Sequence, residues 1–229
     1  MTARGTIGHE RSAGRARHAA CIAVATLLAL APLAARAGAQ AEEKLAPSVV
    51  TVMSRAISDQ PVPADYADRP ELRAWLDQMS QRLASRMPDV RSREEFLATV
   101  HYEATRAGLD PQMVLGVIQH ESAFRKYAIS IAGARGFMQV MPFWSKLIGS
   151  TEHNLFHLRT NLRYGCVILR HYLDIENGDV YRALGRYNGS LGQPEYPSAV
   201  LALWNRNWLY TPPPAAPKTA GVAGAAVIR

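Results

Sequence analysis

Cysteine is nearly missing from this chain. It has two among 229 residues, Cys21 and Cys166. Cys21 sits in a leader-like N-terminus, so a processed chain keeps one thiol and can form no internal disulfide, even in an oxidising compartment. Cys166 lies in the apolar helical stretch Tyr164-Gly165-Cys166-Val167-Ile168-Leu169, where a buried, inert thiol is expected rather than a nucleophile. One cysteine supplies no paired-cysteine metal site, and the seven histidines show no H-E-x-x-H or related spacing. No metal and no cofactor are therefore expected. A convincing alternating strand pattern is missing too, and beyond the N-terminus no run is long and apolar enough to cross a bilayer. Acid is absent from a long stretch: between Ser122 and Thr151 there is no Asp or Glu, while Arg125, Lys126, Arg135 and Lys146 are all basic.

The N-terminus has the composition of an export signal. Arg4, Arg11, Arg15 and Arg17 precede an apolar run at 21–35, and Ala35-Arg36-Ala37 or Ala37-Gly38-Ala39 offers small residues at a cleavage position. Residues 1–39 are read as this signal, which gives a periplasmic or secreted location. Its removal takes away five arginines and one glutamate and lowers the net charge from +7 to +3. That mild surplus suits an anionic wall polymer. It does not argue for nucleic acid, and no nucleic-acid-binding motif is present.

The remaining pattern is helical. Residues 40–69 are punctuated by Pro47, Pro61 and Pro63 and are read as a flexible linker, with a short strand at 49–53 as the alternative. Pro70 opens a helix through Met87. Ser92, with Glu95 three residues on, reads as the cap of the next helix, which ends at Gly108. Asp110-Pro111 restarts the chain as N-cap and N1, and helices follow at 142–148, 158–176, 179–187 and 195–207. Residues 211–229, rich in Pro, Ala and Gly, are read as a disordered tail. The expectation is a mainly α single domain over 70–210.

Chemistry concentrates at Glu121. An apolar helical run (Met113, Val114, Val117, Ile118) leads into this acid in the last turn, before a loop of small residues. Burial and the negative end of the helix dipole both disfavour the ionised form there, as a general acid requires. His120 beside it is a candidate to alter its titration. Trp144, Trp204 and Trp208 read as core residues or as platforms for sugar rings.

The segment Glu121-Ser122-Ala123-Phe124, followed by residues 128–142 (A-I-S-I-A-G-A-R-G-F-M-Q-V-M-P), resembles the soluble lytic transglycosylase (SLT) family over roughly residues 92–205. Tyr187-Asn188 resembles a later family motif, A-Y-N-A-G, although Arg186 replaces its first Ala and Gly189 follows Asn188 directly. The resemblance implies a lysozyme-like domain acting on peptidoglycan strands, with no cofactor. It implies cleavage of the bond between N-acetylmuramic acid and N-acetylglucosamine without water, forming a 1,6-anhydro sugar. Glu121 would be the acid and base, with Ser130, Gln139, Met141, Tyr187 and Asn188 lining the substrate. The implied protein is monomeric, with cell-envelope assembly machinery as a second kind of partner. Two alternatives stand beside this: a wall-binding or assembly protein with an inactive site, suggested by the altered motif at Tyr187, and a hydrolase of the goose-type lysozyme kind. Glu152 is the nearest acid after the gap that could serve hydrolysis.

Overall fold

The computed structural model describes residues 40, 42–58 and 60–211. The expected signal at 1–39 and the tail beyond Thr211 lie outside them. The described residues form eight α-helices: α1 Pro47–Ile57, α2 Pro70–Leu83, α3 Val90–Arg106, α4 Pro111–Ser122, α5 Pro142–Ile148, α6 Leu158–Ile175, α7 Val180–Asn188 and α8 Glu195–Leu203. A 3₁₀ turn at Tyr66–Asp68 precedes α2, and a π turn at Trp204–Trp208 follows α8. Pairing between extended segments is limited, among the described residues, to isolated bridges joining Ile129 to Arg135 and Arg135 to Val140.

α4 is the central helix because its sequence is apolar on every side. Met113 through Ile118 are all buried, the pattern of a helix enclosed by others. α3, α8 and the π turn pack around it, while α6 holds α1, α3 and α7. Asp110 caps α4, accepting from the Gln112 N–H at 2.7 Å. Gly116 sets the spacing to α8: an added Cβ would meet Trp204 at 3.2 Å and the Val200 carbonyl at 3.3 Å. With Gly116 facing Val200 and Trp204, and Glu121 facing Tyr196, the two helices run antiparallel.

Four expectations are corrected. Residues 40–69 are not a structureless linker, and 49–53 is not a strand. Val49, Met53, Ala56 and Ile57 fall at helical spacing on α1 and pack into the core. Its end is capped from outside. Arg106 donates to the Ala56 carbonyl at 2.9 Å and the Ser58 carbonyl at 3.2 Å, and Arg163 donates to the Gln60 carbonyl at 3.1 Å. These long-range bonds satisfy carbonyls that the helix leaves open, and tertiary contact overrides a β-branched local sequence. The cap of α3 is Asp89, whose side chain accepts from Ser92 N–H at 2.8 Å. Ser92 therefore lies inside the helix and does not start it. α2 also stops at Leu83, short of Met87.

The arginines that hold α1 converge on one buried acid. Glu103, 2% exposed, receives Arg163 at 2.9 Å and Arg106 at 3.5 Å. Removing Arg163 leaves the buried carboxylate with only the longer Arg106 contact, and a buried charge short of its close partner costs more than an intact pair contributes. Arg163→Ala should therefore destabilise the chain by roughly 3 kcal/mol in urea unfolding. A loss under about 1 kcal/mol, the range of exposed pairs, would contradict this reading.

Candidate active site

Glu121 occupies the last turn of α4 and keeps partial access to solvent. One hydroxyl addresses its carboxylate: Tyr196, at the start of α8, donates to Glu121 Oε1 at 2.5 Å. Burial raises the Glu121 pKa to about 7, against a smaller lowering from the Tyr196 bond. Among the described residues, no Asp or Glu is one of the groups acting on it. The reverse influence is large: burial first, then the Glu121 charge, pushes the Tyr196 hydroxyl well above its usual range. Tyr196 thus stays protonated and remains a donor. His120 stands edge-on to the Tyr196 ring, with centroids 4.8 Å apart, and burial lowers its pKa.

The backbone beyond Glu121 is strained. Ala123 and Phe124 adopt φ of 49° and 66°, a left-handed conformation that costs a non-glycine residue about 1–2 kcal/mol. Phe124 offsets this by burial against Phe96 and Trp208, with ring centroids 5.9 and 5.4 Å away. Arg125 donates to the Ser122 carbonyl at 3.0 Å and closes the helix end. Beyond this turn lies the loop at 128–142, whose Met138 carbonyl accepts from the Tyr187 hydroxyl, a group that the Glu121 charge acts on.

That loop is held by its own polar groups and by Asn161 of α6. Ser130 Oγ accepts from Ala134 N–H at 3.0 Å. The Gln139 amide donates to the Ala128 carbonyl at 3.1 Å and the Gly136 carbonyl at 2.9 Å. Asn161, fully buried, accepts from Met138 N–H at 2.8 Å and donates to the carbonyls of Arg135 and Leu155 at 2.8 and 2.7 Å. Gly136 is required where they meet: its φ is 75°, and an added Cβ would lie 2.5 Å from Asn161 Nδ2.

The structure separates the candidate residues by what their polar atoms do. Ser130 is half-buried at a turn, Met141 is half-buried at the head of α5, and Asn188 is half-buried at the end of α7. The Gln139 amide is committed to the loop. Tyr187 is fully buried and donates to the Met138 carbonyl at 2.7 Å, so its link to Glu121 is through charge rather than a bond. The hydroxyl that does reach Glu121 belongs to Tyr196, which the sequence reading did not single out. It lies 75 positions away, and only the antiparallel contact of α4 and α8 brings it in. Asn161 was also missed, because nothing local marks a buried Asn inside an apolar helix. Trp144 and Trp208 are core residues with no exposed face, and Trp204 is partly buried. Glu152 is exposed.

The sequence that carries this site matches a known family over part of the chain. The family model for the transglycosylase SLT domain aligns with residues 98–196. Those residues form an SLT domain. A transglycosylase of Enterobacteria phage PRD1 is 37% identical over 98 residues, covering 43% of this chain and 36% of the phage protein. Membrane-bound lytic murein transglycosylase C of Haemophilus influenzae strain PittEE is 46% identical over 54 residues, covering 24% of this chain and 15% of that protein. The chain thus spans about a third of the first relative and about a seventh of the second. The solved structure of an inactive mutant of the lytic transglycosylase Slt from Pseudomonas aeruginosa aligns with 73% of this chain and 35% of that one. Its TM-score is 0.40 and its sequence identity 21%. The likeness of residues 98–196 to the SLT domain rests on the sequence matches.

The Glu121 shift has a consequence for stability. A carboxyl whose pKa is higher folded than unfolded binds its proton more tightly in the native state, so it stabilises the fold below about pH 4.5 and loses that contribution as pH rises towards 7. Glu121→Gln should remove the loss and make the chain more stable than wild type at pH 8, by on the order of 2 kcal/mol given the partial solvent access. Urea unfolding at pH 4 and pH 8 checks this. An equal stability gap at both pH values would show that the carboxyl is not desolvated.

Proposed function

We propose that this chain is a peptidoglycan lytic transglycosylase that breaks the β-1,4 bond between N-acetylmuramic acid and N-acetylglucosamine without water. The observation that carries this reading is the environment of Glu121: its carboxyl is buried and takes one tyrosine donor, and among the described residues no second carboxylate acts on it. Two-carboxylate hydrolysis uses a second acid group as nucleophile or as base for water. A mechanism that needs only one carboxyl fits this site better.

The steps balance on that single group. Protonated Glu121 gives its proton to the glycosidic oxygen as the anomeric C1–O bond breaks, and the leaving sugar departs as an alcohol. The muramyl C6 oxygen then bonds to the vacated C1. Its hydroxyl proton goes to the Glu121 carboxylate, which regenerates the acid. A tethered hydroxyl supplies the large effective concentration of an intramolecular nucleophile. A pKa near 7 suits a group that must both give and take a proton near neutrality. Tyr196 steadies the ionised form between the two transfers.

Ser130, Met141 and Asn188 are the proposed substrate-facing positions, with Gln139 and Tyr187 shaping the wall behind them. Arg186, the departure from the family motif, is turned towards Glu176 and Glu43. It therefore gives no support to an inactive site. Peptidoglycan lies outside the cytoplasm, and a periplasmic or secreted location follows from this substrate.

Incubated with sacculi, the wild-type chain should release muropeptides lighter by one water per cleaved bond than the hydrolytic products. Glu121→Gln should lower the rate by at least about a thousandfold while remaining folded. Binding to sacculi with no soluble product from wild type would instead support a wall-binding protein.

A further inference from the structure

A cleft of about 520 Å³ opens between the segment ahead of α2, the first half of α3 and the start of α6. Val62 and Ala67 line it from that segment, Glu95 and Ala98 from α3, Leu158 from α6, and Lys126 from the turn after α4. Its lining includes neither Glu121 nor any of the proposed substrate-facing positions. Val62, Ala67 and Glu95 also precede the residues that match the SLT domain. This chain therefore supplies much of the cleft from its own N-terminal part. The volume is in the range of sites that hold small ligands.

The cleft is built in advance of any ligand. Tyr66, buried, anchors the segment ahead of α2: its hydroxyl bonds His101 Nδ1 at 2.8 Å, and its ring stands edge-on to Tyr102 with centroids 5.2 Å apart. The Pro63 carbonyl accepts from the Tyr66 N–H at 3.0 Å, and Pro61 and Pro63 stiffen the approach to this turn. On the other side, Leu158 begins the helix whose Asn161 holds the loop at 128–142. Lys126 follows directly on Arg125, which closes the end of α4. The cleft and Glu121 are thus tied to the same helix end.

Two opposite charges line this one cleft. Neither Lys126 nor Glu95 joins an ion pair among the described residues, and the Lys126 ammonium lies 5.4 Å from the centre of the Tyr127 ring. They share the cleft with the apolar Val62, Ala67, Ala98 and Leu158. A fitting ligand carries a carboxylate, an ammonium and a short apolar stretch. The sugar rings of a glycan strand offer neither charge, whereas a short peptide with a free amine offers both. We propose that this cleft binds the peptide stem that hangs from the wall glycan, with Lys126 taking a stem carboxylate and Glu95 the free amine of its diamino residue. The identity of the peptide rests on the peptidoglycan reading. A grip on the stem, remote from the bond that breaks, acts equally on ground and transition states, so it lowers KM for stem-bearing strands and leaves kcat alone.

The test uses the full chain and the free stem tetrapeptide L-Ala-γ-D-Glu-meso-diaminopimelate-D-Ala, with binding followed by calorimetry. Glu95→Ala and Lys126→Ala should each weaken binding by about threefold, the worth of an exposed ion pair. Ala67→Trp, which fills the cleft, should abolish it. On soluble glycan strands, the same variants should raise KM when stems are present and leave the KM of stem-free strands at the wild-type value. The proposal is overturned if wild type does not bind the tetrapeptide, if all three variants bind it as wild type does, or if KM rises equally for both kinds of strand. Equal or tighter binding of the all-L peptide Ala-Glu-Lys-Ala would make the cleft a docking site for a protein segment and overturn the wall assignment. Tetrapeptide binding that Ala67→Trp abolishes, with no turnover by wild type, supports the cleft and counts against the enzymatic reading alone.

Discussion

The site depends on a carboxyl kept from water and given one hydrogen-bond donor. In water a glutamic acid is ionised at neutral pH and has no proton to give. At Glu121, burial moves the equilibrium to about pH 7, and the Tyr196 hydroxyl prevents the shift from going further. Both effects come from the close approach of α4 and α8. Gly116 permits that approach, and the antiparallel sense puts Tyr196 opposite Glu121. A side chain at Gly116 would press on Trp204 and the Val200 carbonyl, the part of the α8 region that closes on α4.

The loop at 128–142 depends on a different kind of constraint. Its backbone polar groups cannot all pair within so short a segment, so buried amides complete them. Asn161 meets three backbone groups from α6, and Gln139 meets two from within the loop. Non-glycine residues in left-handed conformations at 123, 124 and 139 mark where the chain is bent against its preference. Such strain persists only where surrounding packing over-determines it. Here the aromatic packing of Phe124 does so.

How much of this was legible in the sequence follows from the range of the interactions. The central helix, its Asp110 cap, its terminal Glu121 and the acid-free loop are written locally, in apolar spacing and turn residues, and they appear where expected. Buried Cys166 does too. The first helix was missed because its signal is long-range: a β-branched sequence becomes helical when Met53 and Ile57 find the core and two distant arginines close its end. Tyr196 and Asn161 were missed for the same reason, since each acts on a partner more than twenty positions away. Gln139 and Tyr187 were singled out from a family pattern as residues lining the substrate. The hydrogen bonds of the Gln139 amide and the Tyr187 hydroxyl run into the protein, which a pattern of residue types does not reveal.

The central claim is that one carboxyl, acting as acid and then as base, breaks the glycosidic bond with no water consumed. Digesting sacculi in water enriched in ¹⁸O tests it most directly. The account predicts that muropeptides released by the wild-type chain carry no ¹⁸O at the new muramyl end. One ¹⁸O at each new end would mean that water had attacked, and that the single-carboxyl account of Glu121 is wrong.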